Sequence, residues 1–301
     1  MKNTFFIITG ILVVAALGVW AVFSPTSPAR DTRPVLAASI PPLVDIVQHV
    51  AGDIWQVVPV VPAGASPHSY ALSPAQVGSL QGAQAIFMIG HGLDDQVIDS
   101  VRRIAPEADT ATVDSGIMLR EFGEEHGHED EEEEEHEDEG FDPHYWLSVP
   151  NGKQIAVNVA QYLQNIDPEH SDVYAANLAA YIEELDALEA ELQAVASDAP
   201  QKHFIAVHDA WGYLAQQYGF ELVGTFEPVE GREPSPADIR ELENVIQEYS
   251  LTAFYTEPQK QSSAANRLFS DGLGLEVRVL DPEGGSSYVE LMRSNIQTLS
   301  R

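Results

Sequence analysis

The chain has 301 residues, with 47 Asp plus Glu against 15 Lys plus Arg and a formal charge of −32. Such a field repels phosphate backbones, which excludes nucleic acid as a partner, and it makes cations the natural guests. The absence of cysteine excludes disulfides, thiolate metal sites and a lipid-bearing N-terminal Cys.

Taken from the N-terminus, Lys2 precedes an apolar run from Phe5 to Phe23 that no charge interrupts. The run approaches the roughly 20 residues that span a bilayer and exceeds the about 7–15 of a signal-peptide core. Ser27 and Ala29 offer small residues for cleavage. The segment therefore reads as a signal peptide or an uncleaved anchor, and its length favours the anchor. Either reading places the folded part outside the cytoplasm, at the cell surface or in the periplasm. Residues 24–34, rich in Pro, Ser and Thr, form a linker, so 1–33 stands apart from the rest.

Folded sequence begins with a strand at Val35–Ile40, followed by a helical pattern over Leu43–Val50 and a second strand at Trp55–Val61. Ser73-Pro74 opens a helix with Ser as its cap and Pro at its first turn, and Ala85–Ile89 reads as a buried strand. From Pro168 to about Ala196 one long helix is expected. Tyr174, Leu178, Tyr181, Leu185, Leu188, Leu192 and Val195 recur at steps of four and three. Beyond it the alternation resumes: strands at Phe204–Val207, Leu222–Phe226, Ala253–Tyr255 and Glu276–Leu280, with helices at Ala210–Tyr218 and after Ser235-Pro236. Alternating strands and helices predict an α/β fold of parallel sheets flanked by helices. The expected division is an N-terminal lobe over 34–167, a connecting helix over 168–197 and a C-terminal lobe over 198–301.

Between the third strand and the long helix lies an acidic loop, 123–140. From Glu124 to Glu139 it holds 12 acids and no base, with His126, His128 and His136 among them. A tract of this composition cannot bury apolar surface and reads as a solvated loop. Its imidazoles and carboxylates make it a weak accessory trap for cations. It runs into Asp142-Pro143-His144-Tyr145-Trp146-Leu147.

Three histidines and one carboxylate lie where elements end: His68 after the second strand, His144 after the acidic tract, His208 directly after a strand, and Asp281 likewise. Open α/β sheets place ligand groups at the carboxyl ends of their strands. Two lobes facing each other would deliver these four groups to one cleft. Three imidazoles and a carboxylate suit Zn²⁺, whereas Mn²⁺ prefers more oxygen. Against this stands the ordinary reading of each residue alone, a surface histidine or an Asp-Pro turn, and spacing cannot decide because no two of the four are within helical reach. His49, His91, His170 and His203 lack comparable positions. A zinc hydrolase would use the same ligands, but no His-Glu-x-x-His is present, and Glu257 is the one obvious general base outside them. A metal-binding adhesin has no separate motif.

The segments Pro67-His68-Ser69-Tyr70-Ala71-Leu72-Ser73-Pro74, Asp142-Pro143-His144-Tyr145-Trp146-Leu147 and His208-Asp209-Ala210-Trp211-Gly212-Tyr213-Leu214 resemble the metal-binding receptors of bacterial ABC importers for zinc and manganese. Glu233-Pro234-Ser235-Pro236, Glu257-Pro258-Gln259 and Leu280-Asp281-Pro282 match in order, so the resemblance covers Val35 to the C-terminus. It implies two lobes joined by one rigid helix, metal in the cleft between them, and a monomer that docks on a membrane permease. It implies His68, His144 and His208 as ligands, with Asp281 or water at the fourth position. Histidine at the third position is similar to the zinc branch, with manganese the alternative cargo. The tract here departs from the family's loop in being dominated by Glu.

Overall fold

A computed structural model describes residues 32–121, 140–227, 234–260, 264–285 and 287–301. Strands β1 (Val35–Ala38), β2 (Gln56–Pro59), β3 (Ala83–Met88) and β4 (Asp109–Thr112) form a parallel sheet in the order β2-β1-β3-β4. Strands β5 (His203–His208), β6 (Glu221–Glu227), β7 (Ala253–Thr256) and β8 (Glu276–Val279) form a second parallel sheet in the equivalent order, β6-β5-β7-β8. Parallel neighbours require crossovers, and helices supply them. In the first half these are α1 (Pro41–Ala51), α2 (Pro74–Leu80) and α3 (Asp95–Ile104). After the first sheet come α4 (Val149–Ile166) and α5 (Ser171–Ser197), and the second half carries α6 (Gly212–Tyr218), α7 (Pro236–Glu248), α8 (Ala264–Arg267) and α9 (Tyr288–Leu299).

The expected long helix is α5, 27 residues preceded by a 3₁₀ turn at Pro168–His170. Its start is displaced because α4 runs to Ile166 and Asp167 precedes a proline, a position where helical backbone is disfavoured. Along its apolar stripe Tyr174, Tyr181, Leu185, Leu188 and Leu192 are buried, whereas Leu178 and Val195 are only partly so. The stripe packs on α1, α4 and α9. One continuous core joins it to Leu36, Ala38 and Phe87 of the first sheet and to Phe204, Ala206 and Tyr255 of the second. Burying a large apolar side chain contributes about 1.5–3 kcal/mol, so a helix that buries five of them against both halves couples the two sheets firmly. Two further clusters cover the other faces, one around Ile86 and Val97, the other around Ile205 and Phe254.

Polar ties reinforce this seam. Asp45 of α1 accepts from the backbone N–H of Tyr288 at the start of α9 (2.9 Å), and the Tyr288 hydroxyl donates to the carbonyls of Trp146 (2.7 Å) and Ser148 (3.1 Å). Among the described residues no helix is long and apolar enough to cross a membrane, and Phe5–Phe23 lies outside them.

Candidate metal centre

His68 sits in a loop that leaves β2, turns at Gly64 with φ +79° and ends in a 3₁₀ turn at Pro67–Ser69. Gln76 anchors that loop. Its amide donates to the carbonyl of Val60 at the end of β2 (2.9 Å), and its carbonyl accepts from the Tyr70 hydroxyl and the Ser73 backbone N–H (3.0 Å). Ser73 and Gln76 form a reciprocal capping box on α2, as Ser73-Pro74 predicts. The imidazole is thereby held half-buried on a short tether.

His144 is placed by a different device. The Asp142 carboxylate, two residues earlier, accepts from both the backbone N–H (2.9 Å) and the ring Nδ1 (2.8 Å) of His144. With Nδ1 carrying the proton, Nε2 presents its lone pair, the arrangement in which a carboxylate orients a histidine toward a cation. Both residues are buried, at 3% and 2% exposure. The next two side chains fix the segment: the Tyr145 hydroxyl donates to the carbonyl of Ile89 (2.9 Å), and Trp146 Nε1 donates to that of Pro282 (2.8 Å).

His208 ends β5, and strand register supplies its partner. Ala206 pairs with Tyr255 of β7, so two residues on, at the carboxyl edge, His208 meets Glu257. Glu257 Oε1 accepts from His208 Nδ1, and the pair is buried. β8 lies on the far side of β7, and Asp281 follows it, so this edge carries His208, Glu257 and Asp281 in neighbouring positions. Asp281 Oδ1 accepts from the backbone of Glu283 (3.2 Å) and Gly284 (2.8 Å), while Asn295 of α9 grips its main chain. Burial, and then the charge of Glu257, push the Asp281 carboxyl above the usual carboxylate range, opposed by those two amides.

Three of the four anticipated groups converge. Ligand atoms of His68, His144 and His208 lie within 4.8 Å of one another, with ring centroids 5.6, 6.3 and 5.5 Å apart. Two Zn–N bonds end to end span about 4 Å, so one ion can draw all three nitrogens in with small rotamer adjustments. Asp281 is not a member of that group, although it stands beside Glu257. His126, His128 and His136 lie outside the described residues. The histidines set aside each sit beside a carboxylate elsewhere: His49 by Asp45, His91 by Asp114, His170 by Asp167 and His203 by Glu221. Sequence reasoning missed the orienting part of Asp142 and offered Glu257 as a possible general base, whereas Glu257 lies behind His208, one of the three converging histidines. The strand register that pairs Ala206 with Tyr255 is the signal that finds it.

The family model described as zinc-uptake complex component A, periplasmic, matches residues 36–301. The high-affinity zinc uptake system protein ZnuA of Paracoccus denitrificans is 31% identical over 324 residues, 97% of each chain. The zinc-binding protein AdcA of Streptococcus pyogenes is 26% identical over 306 residues, covering 95% of this chain but only 59% of its own length. A crystal structure of ZnuA superposes with a TM-score of 0.77 at 29% identity, covering 89% of this chain and 98% of the other. The three histidines thus gather in a chain matched almost from end to end, and that chain belongs to the family of periplasmic zinc-uptake complex component A.

Proposed function

We propose that this protein is an extracytoplasmic receptor that captures Zn²⁺ between its two halves and hands it to the membrane permease of an ABC importer. The convergence of three imidazoles on one point carries the reading. An all-nitrogen set suits zinc better than manganese, whose preference for oxygen would draw on Asp281. Residues 34–167 and 198–301 are the two lobes in this reading and α5 joins them, with Asp281 or a water completing the coordination. The names of the ZnuA and AdcA relatives support zinc as cargo. The receptor acts as a monomer, and Phe5–Phe23 either directs export or keeps it at the membrane. Ligation requires neutral imidazoles, so affinity falls on acidification.

Competitive calorimetry of Zn²⁺ against Mn²⁺ on the full chain tests this, with His68→Ala, His144→Ala and His208→Ala as controls. One tight Zn²⁺ site, much weaker Mn²⁺, and loss of the tight site in each variant are expected. Tighter Mn²⁺ than Zn²⁺ binding favours the manganese receptor, and a variant with unchanged affinity removes that histidine from the site.

A further inference from the structure

Three neutral imidazoles bring no charge to a dication, yet two of them are buried, and an uncompensated ion is costly in such a place. Compensation stands one bond further out. Glu257, at 1% exposure, lies behind His208, and Asp142, at 3%, lies behind His144. Two carboxylates match the charge of a divalent ion while the first contacts remain nitrogen.

Of the two, Glu257 has the more elaborate support. Asp142 reaches its histidine along the same stretch of chain, whereas Glu257 comes from a neighbouring strand, 49 residues away. Its second oxygen accepts from Gln259 Nε2 (3.0 Å), and that amide also reaches Glu283 Oε2 (3.4 Å), itself buried. With one carboxylate oxygen on His208 and the other on Gln259, the Glu257 side chain is fixed at both ends.

We infer that Glu257 is a positioning residue that sets the affinity and the metal preference of the triad by holding His208 with its lone pair on Nε2, while Gln259 holds Glu257. The inference rests on the zinc-receptor reading and deepens it. A carboxylate can only accept from Nδ1, so it enforces one tautomer and strengthens the opposite nitrogen as a donor. Touching His208 rather than the ion, it adds charge without giving the ion an oxygen ligand, which disfavours Mn²⁺ relative to Zn²⁺. Glutamine keeps the shape but loses the charge. Its amide can also donate to Nδ1, which moves the ring proton onto the nitrogen that should bind metal.

The test is chelator competition on the full chain, reading Zn²⁺ and Mn²⁺ affinity for wild type, Glu257→Gln, Glu257→Asp and His208→Ala. Visible absorption of the Co²⁺ forms and unfolding of the metal-free proteins accompany it. Glu257→Gln is expected to lower Zn²⁺ affinity about 10–100-fold, the usual effect of losing a partner that orients a metal ligand. It should narrow the Zn²⁺/Mn²⁺ ratio and shift the Co²⁺ spectrum, with Glu257→Asp in between. If Glu257→Gln proves unfolded, the same changes in Glu257→Asp carry the test. Wild-type Zn²⁺ affinity and Co²⁺ spectrum in both Glu257 variants, while His208→Ala loses the tight site, would overturn the inference and leave the receptor standing. A tight site that survives His208→Ala would take His208 out of the site and sink the inference, while a wild type with no tight Zn²⁺ site would sink the receptor reading as well.

Discussion

Trp146 Nε1 donates to the carbonyl oxygen of Pro282 at 2.8 Å, joining the segment that carries His144 to the turn that carries Asp281. The indole is fully buried, and its own carbonyl accepts from the Tyr288 hydroxyl. The contact therefore lies on the seam between the two halves, two residues from His144. Trp146→Phe removes the donor and leaves a buried carbonyl unsatisfied, at a cost of about 1–3 kcal/mol. A lower denaturant midpoint for the metal-free protein, with Zn²⁺ affinity reduced less than in His144→Ala, is the expected result. An unchanged midpoint would show that water replaces the indole without loss.

Gly152 sits inside α4 against the Tyr288 ring. A Cβ there would collide with the Tyr288 hydroxyl oxygen and stand 2.7 Å from two ring carbons. Alanine normally stabilises a helix interior by about 1 kcal/mol relative to glycine. Here the ring is fully buried and bonded to Trp146 and Ser148, so it cannot yield cheaply. Gly152→Ala should destabilise by about 1–3 kcal/mol through overpacking. Tyr288→Phe in the same chain should recover only part of that, because the ring carbons still collide. Thermal unfolding of the single and double variants decides, and a stabilised Gly152→Ala would refute the contact.

These two glycine and tryptophan contacts mark where reading the sequence stopped. The alternation of β-branched strands with capped helices made the two parallel sheets legible, and the stripe from Tyr174 to Leu192 announced the long helix. The histidines were legible as a set because each follows an element end. What escaped was non-local. α4 escaped because it opens on Pro150-Asn151-Gly152, residue types commoner in turns than in helices, and glycine is there because Tyr288 arrives from the far end of the chain. β4 is a half-exposed edge strand, Asp-Thr-Ala-Thr, with no apolar signal. Glu257 is paired to His208 by strand register, which motif spacing does not encode.

Asp45 offers a pH test at a distance from the triad. Its carboxylate accepts from the Tyr288 backbone N–H, with His49 and Glu184 nearby, and burial raises its pKa above the ordinary 3.8, opposed by that bond and by His49. A raised acid is protonated more readily in the folded state than in the unfolded one. Its contribution to stability is therefore complete below the unfolded pKa and is lost as pH rises through the folded one. Asp45→Asn keeps an acceptor for Tyr288 and removes the titration. The difference in unfolding free energy between wild type and Asp45→Asn should shift toward the variant as pH rises from about 3 into the neutral range. A difference that stays flat with pH would show that Asp45 does not titrate abnormally.

Removing 123–139 tests whether the acidic tract belongs to the tight site. The chain on either side is closed without it: Glu121 and Phe141 form an antiparallel bridge, and the Asp142 N–H donates to the Arg120 carbonyl (2.8 Å). Tyr213 clasps both stems, accepting from Arg120 N (2.9 Å) and donating to Asp142 O (3.0 Å), while Arg120 Nη1 donates to Gly212 O (2.7 Å). Joining stems already in contact costs little loop entropy, so the shortened chain should fold. His68, His144 and His208 all lie outside the deletion, and Asp142 still holds His144. Calorimetry is expected to show one tight Zn²⁺ site retained and the weaker uptake gone. Loss of the tight site in a folded deletion variant would move at least one ligand into the tract and unseat the triad.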